Sequence, residues 1–150
     1  MNIQSLEAEA NRLVLPRFTE TQALRLGAIL VELAAGLGVV INIRNAHRTF
    51  FHAALPGSQA NNDNWARRKS NTALVMGRAS MLVGLRNAER KRSLASEGLS
   101  EADHADHGGA VPVRVTGVGM VAVATVSGLP QEDDHRLVIK GLEALLAELS

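Results

Sequence analysis

Residues 103–109 read "DHADHGG". Asp103, His104, Asp106 and His107 are the residue types of metal binding and of acid–base catalysis. His104 and His107 are three apart. That spacing brings two imidazoles together only on a helix, and Gly108-Gly109 follows at once. A zinc site needs a third and a fourth ligand, which Asp103, Asp106, Asp134 or His135 would have to supply, and no established zinc spacing is matched. The balance favours a polar loop whose Asp and His side chains bond the local backbone. A Ser-His-Asp set can be assembled from Ser80 or Ser127, His107 and Asp134, but no nucleophile elbow accompanies it.

A second group lies in "NNDNWARRKSNTALVMGRAS". On a helix, Trp65, Lys69, Thr72, Met76 and Ser80 line up along one stripe. Lys69, set among apolar neighbours, is a candidate to neutralise a carboxylate or phosphate on a ligand. Arg67, Arg90 and Arg92 read as a solvated face instead. A third group is backbone: Gly108-Gly109 and Ser127-Gly128 are bare enough for a ligand or a helix to approach closely.

The elements that must position these groups follow from periodicity. Residues 2–15 form an amphipathic helix stopped by Pro16. Thr19 and Gln22 make a capping-box pattern for a second helix that runs to about Ala35. "VVINIRNAHRTFFHAAL" reads as an antiparallel hairpin turning at "NAHR". One of Asn61, Asn62 and Asp63 caps a long helix reaching about Lys91. "AVPVRVTGVGMVAVATVSG" is a second hairpin, and "LPQEDDH" opens the last helix. The order is α-α-β-β-α-β-β-α, which implies an antiparallel sheet in a single domain, residues 1–150, with residues 1–16 as a helical extension.

With Thr116 opposite Gly119, one face of the second hairpin carries Val111, Val113, Val115, Met120, Ala122 and Ala124. The other carries Pro112, Arg114, Val121, Val123 and Thr125. Both faces are apolar, so helices or a second subunit should cover both. The same register sets His107 opposite Gly128. "DHADHGG" and "QEDDH" then meet at the hairpin's open end, with Asp134 and His135 within reach of His107.

The totals exclude several classes. There is no cysteine, hence no disulfide, thiolate nucleophile or Cys-ligated metal. The net charge of +1, four aromatic residues and the lack of tyrosine argue against nucleic acid. Eight of the sixteen Lys/Arg residues fall between Trp65 and Arg92, whereas acids collect in 97–106 and 132–134. "LGAILVELAAGLGVVINI" is interrupted by Glu32 and three glycines, which excludes a membrane span. The first residues lack a basic-then-apolar leader. A cytoplasmic location is the expectation.

"FHAALPGSQANNDNWARRKSNTALVMGRAS", "HGGAVPVRV" and "VATVSGLPQEDDHRLVIKGLEAL" resemble an uncharacterised family among the GlcG-like and HbpS-like proteins, often labelled a haem-degrading domain. The resemblance runs from Phe18 to Leu146. It rests on A-x-x-K-x-x-T-A (Ala66, Lys69, Thr72, Ala73), on GG-x-x-P-V followed by VSG, and on N-x-x-W-x-x-R-K (Asn62, Trp65, Arg68, Lys69). It implies an α+β, profilin-like fold: a central antiparallel sheet with helices on both faces. It also implies symmetric homo-oligomers, and some relatives bind haem or related tetrapyrroles. No activity and no haem ligand carry over residue by residue.

The leading expectation is a homo-oligomer that binds a small anionic ligand, with haem as one candidate cofactor. Its site draws on Trp65, Arg68, Lys69, Thr72, Met76, Ser80, His107, Gly108, Gly109, Ser127, Asp134 and His135, and His107 or His135 is the candidate axial ligand. One alternative is an assembly or adaptor protein whose basic helix faces the acidic 97–106 loop of a neighbour. The other is a hydrolase or metal enzyme built on His107, Asp134 and His135.

Overall fold

A computed structural model describes residues 1–150. The chain runs α1 (Ile3–Arg12), β1 (Val14–Leu15), α2 (Glu20–Leu33), β2 (Val40–Arg44), β3 (Thr49–Ala54), α3 (Ala60–Met76), α4 (Ser80–Arg90), a short 3-10 turn (Leu94–Glu97), β4 (Ala110–Val115), β5 (Gly119–Ser127) and α5 (Gln131–Leu149). The strands form one sheet in the order β1-β4-β5-β2-β3. Helices α2 and α5 pack on one face over Ile41, Ile43, Val113, Ala122 and Val126. Helix α3 covers the other face over Ala110 and Val123. The α+β class with helices on both faces is as expected.

Several boundaries differ from expectation. Helix α1 ends at Arg12, and Val14–Leu15 then pairs parallel with Arg114 and Val115. This two-residue edge strand makes the sheet mixed. The long third helix is two helices. Gly77 ends α3 in the left-handed region (φ 66°), and the chain re-enters helix at Ser80. Gln59 caps α3, not Asn61, Asn62 or Asp63. Asn62 sits at the third helical position, and its side-chain oxygen accepts the Gln59 backbone N–H. The Thr19–Gln22 capping box is present.

The second hairpin keeps the expected register from Ala110 to Val113, with Val111 opposite Ala124 and Val113 opposite Ala122. A bulge then shifts it, so that Arg114 faces Met120 and Val115 faces Gly119. The extra residue exchanges two side chains. Met120 packs on the α3 face with Val123, and Val121 packs into the main core, the reverse of expectation.

Candidate functional site

The open end of the β4–β5 hairpin is where helices from opposite faces of the sheet meet. Lys69 of α3 and Asp134 of α5 form an ion pair there, Nζ to Oδ2 at 3.1 Å, with each side chain 3% exposed. Lys69 also donates to the backbone oxygens of Gly108 at 2.9 Å and Val126 at 2.8 Å. An ammonium has three N–H donors, and all three are used. Asp134 accepts the backbone N–H groups of Gly128 at 3.3 Å and Leu129 at 2.9 Å. The pair therefore joins both helices to both strand ends. Burial pushes the Lys69 ammonium below the usual lysine range, against the pull of Asp134. Burial likewise raises the Asp134 carboxyl, opposed by Lys69 and by the Leu129 and Gly128 N–H groups.

The glycine pair makes this packing possible. Gly109 has φ 138°, and a Cβ there would collide with Lys69 Nζ and the Val126 oxygen. A Cβ on Gly108 would lie 2.5 Å from the Gln131 backbone oxygen and 2.7 Å from Met81 Sδ. The close approach expected from the bare backbone is thus to the chain's own lysine and to the start of α5.

Beside the pair lies a cavity of about 230 Å³ lined by Asn62, Trp65, Lys69, His107, Gly108, Ser127, Gly128, Leu129, Gln131 and Asp134. Two of its amides have a fixed orientation. The Asn62 side-chain oxygen holds the Gln59 N–H at 2.8 Å, and the Gln131 oxygen holds the Gly108 N–H at 2.9 Å. Each NH₂ group is left as a free donor. The Trp65 indole and the Ser127 hydroxyl add two more donors to the lining. His107 stands edge-on to Trp65, ring centroids 5.1 Å apart at 71°, and Arg68 lies 4.4 Å over the indole.

The expected site residues separate into two sets. Trp65, Lys69, His107, Gly108, Ser127 and Asp134 converge on the cavity, with Gly109 and Arg68 packed behind Lys69 and Trp65. Thr72, Met76, Ser80 and His135 do not reach it. The Thr72 hydroxyl accepts the Ala105 N–H, and Ser80 accepts the Ala110 N–H, so both tie the helices to the chain around β4. Met76 faces a separate depression among Arg78, Arg86, Arg90 and Arg92. His135 follows Asp134 by one residue, a helical step of about 100°. It is 1% exposed and its Nε2 meets Glu9 of α1 at 2.6 Å.

The trio His107, Asp134 and His135 is therefore not assembled, and no group of three or more His, Asp or Glu side chains is placed to hold a metal. His104 Nδ1 bonds the Ser100 backbone oxygen, the local role expected of a polar loop. The acidic loop meets its own chain: Arg67 pairs with Asp103, and Arg68 donates to the Glu101 and His104 oxygens. Gly128, whose bare backbone was marked beside Ser127, also lines the cavity; Asn62, Leu129 and Gln131 complete it, and sequence reasoning did not place them there. Gln131 stands beside Asp134 in "QEDDH", and the hairpin pairing that locates that segment is the signal that could have found it.

A family model described as "Haem degrading protein HbpS-like" matches residues 18–143. The chain belongs to this HbpS-like family. A UPF0303 protein of Streptomyces coelicolor is 45% identical over 149 residues, covering 97% of this chain and 94% of that protein. A crystal structure of Ybr137w matches with TM-score 0.88 at 29% identity, covering 99% of this chain and 89% of that one. A structure titled "Crystal Structure of PduOC:Heme Complex" shares the fold, with TM-score 0.71, 20% identity and coverage of 85% and 94%. No helix of this HbpS-like chain is long and apolar enough to cross a membrane.

Proposed function

We propose that this HbpS-like domain binds a small molecule bearing an oxyanion in the cavity between α3 and α5. One observation carries the reading: the two amides, Asn62 and Gln131, have their oxygens engaged by backbone N–H groups, which leaves their NH₂ groups as donors without a partner. With the Trp65 indole N–H and the Ser127 hydroxyl, they make a lining that asks for acceptor atoms. The anion expected from the sequence is retained, and its partner changes. Lys69 is committed to Asp134, so hydrogen-bond donors rather than a free cation do the recognition. Trp65 is the only tryptophan, and its fluorescence reports the site directly. Inorganic phosphate and acetate should quench or shift it saturably. Ser127→Ala and Gln131→Leu should each weaken the better anion roughly tenfold or more, because a hydrogen bond to a charged group contributes about 1.5–3 kcal/mol. A signal that never saturates with either anion would reject the reading.

Haem is the second reading, favoured by the family description and by the half-exposed His107, whose ring nitrogens have no contact closer than Asp106 Oδ1 at 3.7 Å. The cavity as it stands does not enclose a tetrapyrrole. Its volume of about 230 Å³ falls below the roughly 300–1,000 Å³ of pockets for drug-sized ligands. Haemin titration of the native protein and of His107→Ala, followed at the Soret band, tests it: axial ligation requires a band that His107→Ala alters.

Self-assembly belongs to the same proposal. Strand β3 is a sheet edge with nothing paired on its outer side, and Leu24 of α2 is 59% exposed. The non-enzymatic adaptor alternative rests on this surface, and light scattering of the purified protein tests it.

A further inference from the structure

His107 stands between two depressions. On one side is the donor-lined cavity already described. On the other is a groove of about 210 Å³ lined by Met81, Gly84, Leu85, Ala88, Asp106, His107 and Gln131. His107 and Gln131 line both. The two compartments differ in chemistry. The first offers Asn62, Ser127, Trp65 and Gln131 to acceptor atoms. The second offers the apolar side chains of α4.

The partition is lightly held. The His107 side chain is 53% exposed, its closest polar contact is Asp106 Oδ1 at 3.7 Å, and otherwise it leans edge-on against Trp65. Of the two side chains that line both compartments, Gln131 is fixed by the Gly108 N–H and His107 is not, so the imidazole is the part of the partition that is free to turn. Each alone falls below the usual volume range of ligand pockets, and together they enter it. The charges fix which way round a ligand lies. In the first compartment Asp134 is neutralised by Lys69. In the second, Asp106 is held by the Asn87 amide at 3.0 Å and has no cation against it apart from a protonated His107. A carboxylate is therefore repelled from the apolar side and accepted on the other.

We infer that the ligand is an amphipathic carboxylate. Its head binds among Asn62, Ser127 and Gln131, and its hydrocarbon body passes His107 to lie on Leu85 and Ala88 of α4. This inference rests on the oxyanion reading above and adds the class of molecule and its orientation. His107 acts as a gate between head site and body site.

Straight-chain carboxylates from acetate to decanoate, titrated at fixed ionic strength against Trp65 fluorescence and checked by calorimetry, test it. Binding should tighten roughly fourfold for each added methylene while the chain fills the groove. Ala88→Asp places a charge in the body site at an exposed position of α4, and it should flatten the series relative to that variant's own acetate affinity. If acetate binds and the native series is flat, the amphipathic inference is overturned and the oxyanion reading stands. If the series tightens equally in Ala88→Asp, the body lies elsewhere and the inference is again overturned. If no carboxylate of any length binds, both fall.

Discussion

Lys69 shows how far one residue's meaning depends on where its neighbours end up. The sequence marks it out because it shares a helical stripe with Trp65, and that stripe does lead to the cavity. Its role as a free cation does not survive, because Asp134, 65 residues away, takes the charge. Nothing local in either segment announces that pairing. It arises only when α3 and α5 close over the same strand ends. Removing one member of a buried pair leaves the other uncompensated. Lys69→Met should therefore lower the unfolding free energy by about 3–5 kcal/mol in urea titrations. The pH dependence has a definite sign. The folded-state Lys69 is depressed below the unfolded value of about 10.4. Between those two values the unfolded chain holds more protons, so stability rises with pH. Native protein should thus gain stability relative to Lys69→Met as pH climbs towards about 10, and urea midpoints across that range provide the check.

At the scale of elements, what was legible is what is written locally. The Thr19–Gln22 box, the "NAHR" turn and the β4–β5 register near its open end are all found in place. That register alone is enough to bring His107 and "QEDDH" to the same end of the hairpin. The misses are short features. Tertiary partners decide the bulge at Val121 and the parallel pairing of Val14–Leu15, whereas Gly77 ends α3 through its own left-handed backbone. The break at Gly77 matters most for the site, because it takes Ser80 off the stripe that holds Trp65 and Lys69, while Met76, still on α3, lies two turns past Lys69 beside a different depression. Arg114 donates to the Gly77 oxygen at 2.8 Å, and α4 then packs under α1 through Met81 and Leu82. A Cβ at Gly77 meets no atom within 4 Å, so its backbone alone sets the cost of substitution. Gly77→Ala should destabilise by about 1–2 kcal/mol, the penalty for an L-residue in the left-handed region. Because the added methyl meets no neighbour, Trp65 fluorescence should stay native in that variant below the unfolding transition.

At the scale of the molecule, the acidic 97–106 loop already meets α3 within the chain, through the Arg67–Asp103 pair and the Arg68 bonds to the Glu101 and His104 backbone oxygens. An oligomer of this protein should therefore not depend on that charge pairing. The scattering mass, in multiples of 16.0 kDa, should hold as salt rises to about 1 M, where the screening length falls to about 3 Å. Dissociation with salt would return the loop to the interface. The N-terminal segment finds its partners late in the sequence. Arg86 pairs with Glu7 across 79 positions, Thr116 reaches Leu15 across 101, and His135 and Glu143 meet Glu9 and Arg12 across 126 and 131. A ribosome adding about 5–20 residues per second needs on the order of ten seconds to cover that distance. Leu6 meets Met81 and Leu82 of α4 first, whereas Glu9 and Arg12 wait for α5. Helix α1 therefore acquires its partners in two steps, α4 first and α5 last.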